Sequence, residues 1–381
     1  MRTFYSFATI VITATFIFTA TFIFTACNGN NNKVETTSTT NDSTTLTNTS
    51  TELKPVGAAP QWAPSIKPEM QVVIEKLISL GGEPIETVGA VEARLQPTPT
   101  DAVMAVMKEK NIVLPAPLSD TMGKDIPVTQ GTTHVRIYTP KQKSGKLPVI
   151  VYYHGGGWVI ADINVYDAGA QGLCEQTGAV VVSVEYPKGP KKKFPAAHTV
   201  AFDAYLWVLK NADTMQWDIN KIAVAGESAG GNLAANVSIM ARDKKVQMPV
   251  YQVLVYPVAN NDVNSESYLK FADAKPLNKA MMEWFVKNAL ANTAQAADPR
   301  ISLVKANLAG LPKTLIIAAE IDPLQTEGKL LSEKLKEAKV ETDYELYIGV
   351  THEFFGMAAV VPQAKEAQAL AAKKLKLAFG M

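Results

Sequence analysis

The chain has 381 residues, 47% hydrophobic and 19% charged, an ordinary globular composition long enough to bury one large core. Its 37 basic and 36 acidic side chains leave a formal charge of +1, so nothing gathers phosphates, and a nucleic-acid partner is set aside.

The N-terminal segment differs from the rest. Behind Arg2 an uncharged apolar stretch runs from Thr3 to Ala26 and meets Cys27, the order of an export signal with a small-residue cleavage site over residues 1–26. The run Thr25, Ala26, Cys27 resembles a bacterial lipoprotein signal, which implies that Cys27 receives lipid and becomes the new N-terminus. The same stretch is long enough to span a bilayer as an uncleaved anchor. Either reading holds the rest of the chain outside the cytoplasm, attached to a membrane. Asn28 stands where an aspartate retains some lipoproteins at the inner membrane, which favours the outer one. Residues 27–60 begin with a run of Asn, Thr and Ser that has almost nothing to bury, and they are expected to form a disordered tether. With Cys27 lipidated, Cys174 is left without a disulfide partner and reads as a small buried apolar residue.

Residues 61–125 are expected to form a helical cap. Two amphipathic segments, 68–80 and 98–110, would present Met70, Val103, Met104 and Met107 both to the body and to an acyl-binding wall, with residues 258–300 as the opposite side. From residue 132 strands and helices alternate. Strand-like runs at 133–140, 148–154, 179–186, 221–226, 250–257, 314–320 and 343–349 are separated by helical stretches, and a last helix covers 363–378. Short Val- and Ile-rich runs between helices are strands buried on both faces of a parallel sheet. The fold class is α/β, with residues 126–381 as the catalytic domain.

Ligands in such sheets gather beyond the carboxyl ends of the strands. Four of those ends carry unusual residues: His154-Gly155-Gly156-Gly157-Trp158, Gly226-Glu227-Ser228-Ala229-Gly230, Asp322-Pro323 and His352-Glu353-Phe354. A serine held up at a strand-to-helix turn needs neighbours without a β-carbon two residues away on each side, and Gly226 and Gly230 supply them. Its hydroxyl needs an imidazole to take the proton and a carboxylate to orient the imidazole. Of the four histidines, His352 alone follows the last strand, and Asp322 ends the one before. Glu320 and Glu327 are fallback acids. A His154, Asp203, Ser228 order would suit a two-barrel fold, which the βα pattern opposes. The triglycine run can aim amides at an anion, and His154 reads as a hydrogen-bonding support for that loop.

Together these motifs resemble the hormone-sensitive-lipase-like branch of the α/β-hydrolases, the bacterial family IV esterases. The resemblance covers residues 65–381. It implies an α/β-hydrolase fold with a mostly parallel eight-stranded sheet and an N-terminal helical cap. It further implies Ser228 as nucleophile, Asp322 and His352 as acid and base, and the amides of Gly155, Gly156 and Ala229 as the oxyanion hole. The activity implied is hydrolysis of short- to medium-chain acyl esters, with a small-molecule ester as partner and no metal or cofactor. An amidase or peptidase using the same residues, and a non-catalytic tethered binding protein, remain as alternatives. Glu227 and Glu353 stand where the family usually shows Asp and Gly, changes expected to leave the reacting atoms alone.

Overall fold

The computed structural model describes residues 53–381. The signal, Cys27 and residues 28–52 of the tether lie outside the described residues.

Short helices open the described chain: α1 (Pro68–Ser79), α2 (Ala90–Ala93) and α3 (Pro99–Glu109). The strands β1 (Ser119–Val128), β2 (Gly131–Pro140) and β3 (Leu147–Tyr153) follow. Then come α4 (Asp167–Thr177), β4 (Val180–Val184), α5 (Ala196–Asn211), β5 (Trp217–Glu227), α6 (Ala229–Asp243) and β6 (Tyr251–Val255). The last part holds α7 (Glu266–Lys270), α8 (Lys279–Ala289), β7 (Lys313–Ile321), α9 (Gln325–Glu337), β8 (Thr342–Thr351) and α10 (Pro362–Phe379).

All eight strands join one sheet in the order β1-β2-β4-β3-β5-β6-β7-β8, parallel from β4 onward and antiparallel at the β1 edge. This is the α/β-hydrolase arrangement the sequence implied. Alternation along β3 shows how the layers form. Val149, Val151 and Tyr153 enter one core with residues of α5, α6 and α9, while Ile150 and Tyr152 enter the other with residues of α1, α3, α4 and α10. A strand apolar on both faces gains burial only between two helical layers. Among the described residues no helix is long and apolar enough to cross a membrane.

Two boundaries differ from the sequence reading. Residues 53–60, assigned to the tether, are fastened to the body. Leu53 is buried, Glu75 accepts from the amides of Val56 and Gly57 at 2.7 and 3.0 Å, and Gln71 donates to the Gly57 and Ala58 carbonyls. Four polar contacts to one helix offset the ordering entropy that composition alone made decisive. The cap likewise ends sooner than residue 125, because β1 begins at Ser119 and pairs with β2 along its whole length.

The cap helices also divide their work differently. Met70 and Val103 are buried in the core they share with the sheet, Met107 packs against it, and Met104 is exposed. That stripe serves packing; α1 contributes Leu77 and Ile78 to the main cavity, and most of the rest of that wall comes from the segment between α1 and α3.

Candidate active site

The site is built where four strand ends meet. At the end of β5, Ser228 takes φ 56° and ψ −118°, a conformation that L residues rarely adopt. It is held by a bond from its amide to the Val255 carbonyl (2.8 Å) and by bonds from the Val258 and Asn232 amides to its own carbonyl. Close approach explains the flanking glycines. A Cβ at Gly226 would lie 2.2 Å from the Gly230 carbonyl oxygen, and one at Gly230 would lie 2.0 Å from that of Tyr153.

Strand register brings the next two groups together. Ile321 of β7 pairs with Thr351 of β8, so the residues that follow, Asp322 and His352, emerge side by side. Both are buried. The imidazole Nδ1–H donates to Asp322 Oδ2 at 2.7 Å, and Oδ1 of the same carboxylate accepts from the Leu324 amide. Burial disfavours the imidazolium, but Asp322, with Glu353 and Glu227 behind it, outweighs burial and holds the ring's pKa above its ordinary value. A carboxylate that holds one ring nitrogen fixes the tautomer and leaves the other free to take a proton.

Ser228 and His352 border one cavity of about 840 Å³, together with Gly156, Gly157, Trp158, Phe285 and Met281. No hydrogen bond links the serine hydroxyl to the imidazole among the described residues. Such bonds are often long before substrate binds. One wall comes from Leu77, Ile78 and residues 81–86, 93–94 and 96–99, the other from residues between Val258 and Ile301, so the 258–300 segment lies where the sequence reading placed it.

The glycine loop is arranged differently from the expectation. Gly156 and Gly157 border the cavity, while Gly155 packs behind it, where a Cβ would lie 2.2 Å from the Tyr166 hydroxyl. Gly155 therefore supports the loop and does not face the cavity. Among the described residues, the amides of Gly155, Gly156, Gly157 and Ala229 have no protein acceptor, a condition buried N–H groups seldom keep unless something else accepts from them; of the three glycines, Gly156 and Gly157 are the two that border the cavity. Phe285 closes on this loop, since a Cβ at Gly157 would lie 2.2 Å from its ring.

The other histidines and acids serve elsewhere. His154 donates from Nδ1 to the Gly155 carbonyl at 2.8 Å and stacks on Tyr186 at 4.1 Å, the support the sequence suggested. His198 is buried against Asn232, and burial pushes its pKa down to about 4. His134 faces Asp125 across the β1–β2 ladder, and Asp203 accepts from the Thr129 amide. Glu320 accepts from Ser65 and the Gly349 amide, and Glu327 from the Ala259 amide, so neither fallback acid reaches the imidazole.

Beneath the serine lies a cluster the sequence did not disclose. The Glu227 carboxyl accepts from the hydroxyls of Tyr152 and Tyr256. Burial foremost, with the nearby Glu353 adding, pushes its pKa up to about 8. Glu353 accepts from the Tyr166 hydroxyl and stands 3.9 Å from His352 Nε2. The change from glycine thus places a carboxyl beside the ring's outward nitrogen, contrary to the expectation that it leaves the reacting atoms alone. Arg94 was also missed. It reaches from the cap segment to the carbonyls of Val159 and Gly189, at 2.8 and 2.6 Å.

Comparison with known proteins agrees with this geometry. A family model described as the alpha/beta hydrolase fold matches residues 150–356. Carboxylesterase NlhH of Mycobacterium tuberculosis is 35% identical over 249 residues, 64% of this chain and 78% of that protein. The arylesterase of Saccharolobus solfataricus is 31% identical over 63% of this chain and 78% of its own length. Among solved structures, a hyperthermophilic esterase from Pyrobaculum calidifontis aligns with a TM-score of 0.75 at 34% identity, covering 82% of this chain and 98% of that one. With its serine turn, its sheet order and these relatives in agreement, the chain belongs to the α/β-hydrolase fold family.

Proposed function

We propose that the chain is a serine carboxylesterase that cleaves short- to medium-chain acyl esters through an acyl-serine intermediate. The observation that carries this reading is the buried Asp322–His352 bond opening on the same cavity as Ser228. Ser228 Oγ attacks the ester carbonyl while His352 Nε2 takes its proton. The ring, held by Asp322 through Nδ1, then gives that proton to the leaving alcohol oxygen. The charge on the carbonyl oxygen is met by the unpaired amides of Gly156, Gly157 and Ala229. Water repeats the sequence, releasing the acid and restoring the serine. The apolar wall of Ile78, Met281 and Phe285 suits an acyl chain. A fluorophosphonate should label Ser228, located by peptide mass spectrometry, and block hydrolysis of p-nitrophenyl esters. Label at another residue, or none, refutes the assignment.

We further propose that Cys27 carries lipid and anchors the enzyme to a membrane on the non-cytoplasmic side, more specifically the outer membrane. The support is the apolar run before Cys27, the Thr25-Ala26-Cys27 junction and Asn28 after it. Cys27→Ser should release soluble enzyme in a fractionated cell; persistent membrane association would favour an uncleaved anchor.

A further inference from the structure

The loop after β8 holds a carboxylate for which ester hydrolysis has no direct use. Glu353 takes φ 71° and ψ 1°, a conformation glycine adopts at no steric cost. Its Oε1 accepts from the Tyr166 hydroxyl, and Tyr166 immediately precedes α4. That hydroxyl also lies against Gly155, where a Cβ would come within 2.2 Å of it. Burial foremost, with the charge of Glu353 next, keeps the phenol protonated and therefore a donor. One phenol thus touches the start of the glycine loop and is gripped by the residue that follows His352.

The charged surroundings of both groups are defined. His352 is faced by Asp322 from the end of β7, by Glu227 from β5, by the Tyr256 ring at 4.4 Å from the end of β6, and by Glu353 from its own loop. Glu353 is faced by Tyr166, by His154 at the start of the glycine loop, by Glu227 at the end of β5, and by Asp322 and His352.

We infer that Glu353 is a positioning residue: through Tyr166 it ties the loop carrying the imidazole to the loop carrying the cavity-facing amides, and its carboxylate favours the imidazolium that forms during attack. This inference rests on the proposed function above. The tie keeps proton acceptor and anion-binding donors in one register, where small displacements are expensive. The carboxylate at 3.9 Å from Nε2 stabilises positive charge on the ring without taking the proton itself.

Three variants separate the two roles. Tyr166→Phe removes the donor and keeps the ring. Glu353→Gly removes the whole side chain and suits the left-handed backbone, so its melting temperature should not fall. Glu353→Gln keeps an acceptor for the phenol and removes the charge. Tyr166→Phe and Glu353→Gly should each lower kcat between about tenfold and a hundredfold with KM nearly unchanged. The double variant should be no slower than Glu353→Gly alone, because that substitution already breaks the tie that Tyr166→Phe breaks. Glu353→Gln should lose less kcat than Glu353→Gly, because the tie survives, with the rising limb of its pH profile moved down by about one unit. Parental kcat in both Tyr166→Phe and Glu353→Gly overturns the tie, as does full additivity in the double variant. An unmoved limb in Glu353→Gln overturns the role of the charge. Ser228→Ala distinguishes the levels: if it stays active the proposed function falls, and if it is inactive while the other variants are parental, this inference alone falls.

Discussion

Asp322 and His352 meet across 2.7 Å because Ile321 and Thr351, the residues just before them, are partners in the β7–β8 ladder. The acid and the base are thus placed by sheet register rather than by loop conformation. Asp322→Asn should leave the turn intact, since its side-chain oxygen can still accept from the Leu324 amide. By analogy with the serine-protease triad, kcat should fall by roughly 10⁴-fold. Steady-state hydrolysis of a p-nitrophenyl ester checks this, and a loss below about tenfold would argue against His352 as the base.

The pH profile follows from the ring's environment. Only the neutral imidazole takes a proton, and Asp322 foremost raises its pKa despite burial. Activity should therefore climb with pH and reach its half-point above about 6.5, the ordinary histidine value. A titration of kcat/KM with a neutral ester tests it, and a half-point well below that value would contradict the charge arrangement.

Gly230→Ala should be severe. Its β-carbon would lie 2.0 Å from the Tyr153 carbonyl oxygen and 2.4 Å from that of His154. Backbone atoms at the end of β3 cannot yield as a side-chain tip does, so the loss of stability should be about 3 kcal/mol or more. Urea denaturation followed by tryptophan fluorescence reads it directly.

Glu327 gives a prediction about stability. Burial pushes its pKa up to about 8 from an ordinary value near 4.5, so between those limits the folded state holds a proton that the unfolded state has released. Stability from this group is therefore lost as pH rises through that window. Glu327→Gln keeps an acceptor for the Ala259 amide and cannot titrate. Its melting temperature should fall less than the parent's between about pH 5 and pH 8, as calorimetry would show.

Phe285 is expected to limit the acyl groups the cavity accepts. It is buried, borders the cavity and closes on Gly157. Phe285→Ala should cost about 3 kcal/mol of stability and shift preference toward longer or bulkier acyl groups. A chain-length series of p-nitrophenyl esters compares the two enzymes, and an unchanged preference would remove Phe285 from the substrate wall.

Much of the site was legible because its chemistry sits at the ends of apolar strands. The runs before Ser228 and Asp322 are apolar and buried through most of their length and read as buried parallel strands, whereas β8 before His352 mixes charged with apolar residues and is buried only over its last three. β1 escaped notice because most of its residues are exposed and it pairs only along one side, so no apolar period marks it. The Tyr166–Glu353 bond spans 187 residues of sequence, and neither residue carries a local pattern that names its partner. Arg94 was hidden likewise: its partners are backbone carbonyls, which have no sequence signature. Gly155 misled for a different reason, since a run of three glycines does not say which of them the fold turns toward a neighbouring tyrosine.

The packing around Gly226 and Gly230 leaves no slack for the serine turn to drift. Diversification of this enzyme toward new substrates must then proceed at Ile78, Met281, Phe285 and their neighbours, whose side chains can change size without moving the backbone that carries Ser228. The floor admits no added atoms, whereas the walls can change size.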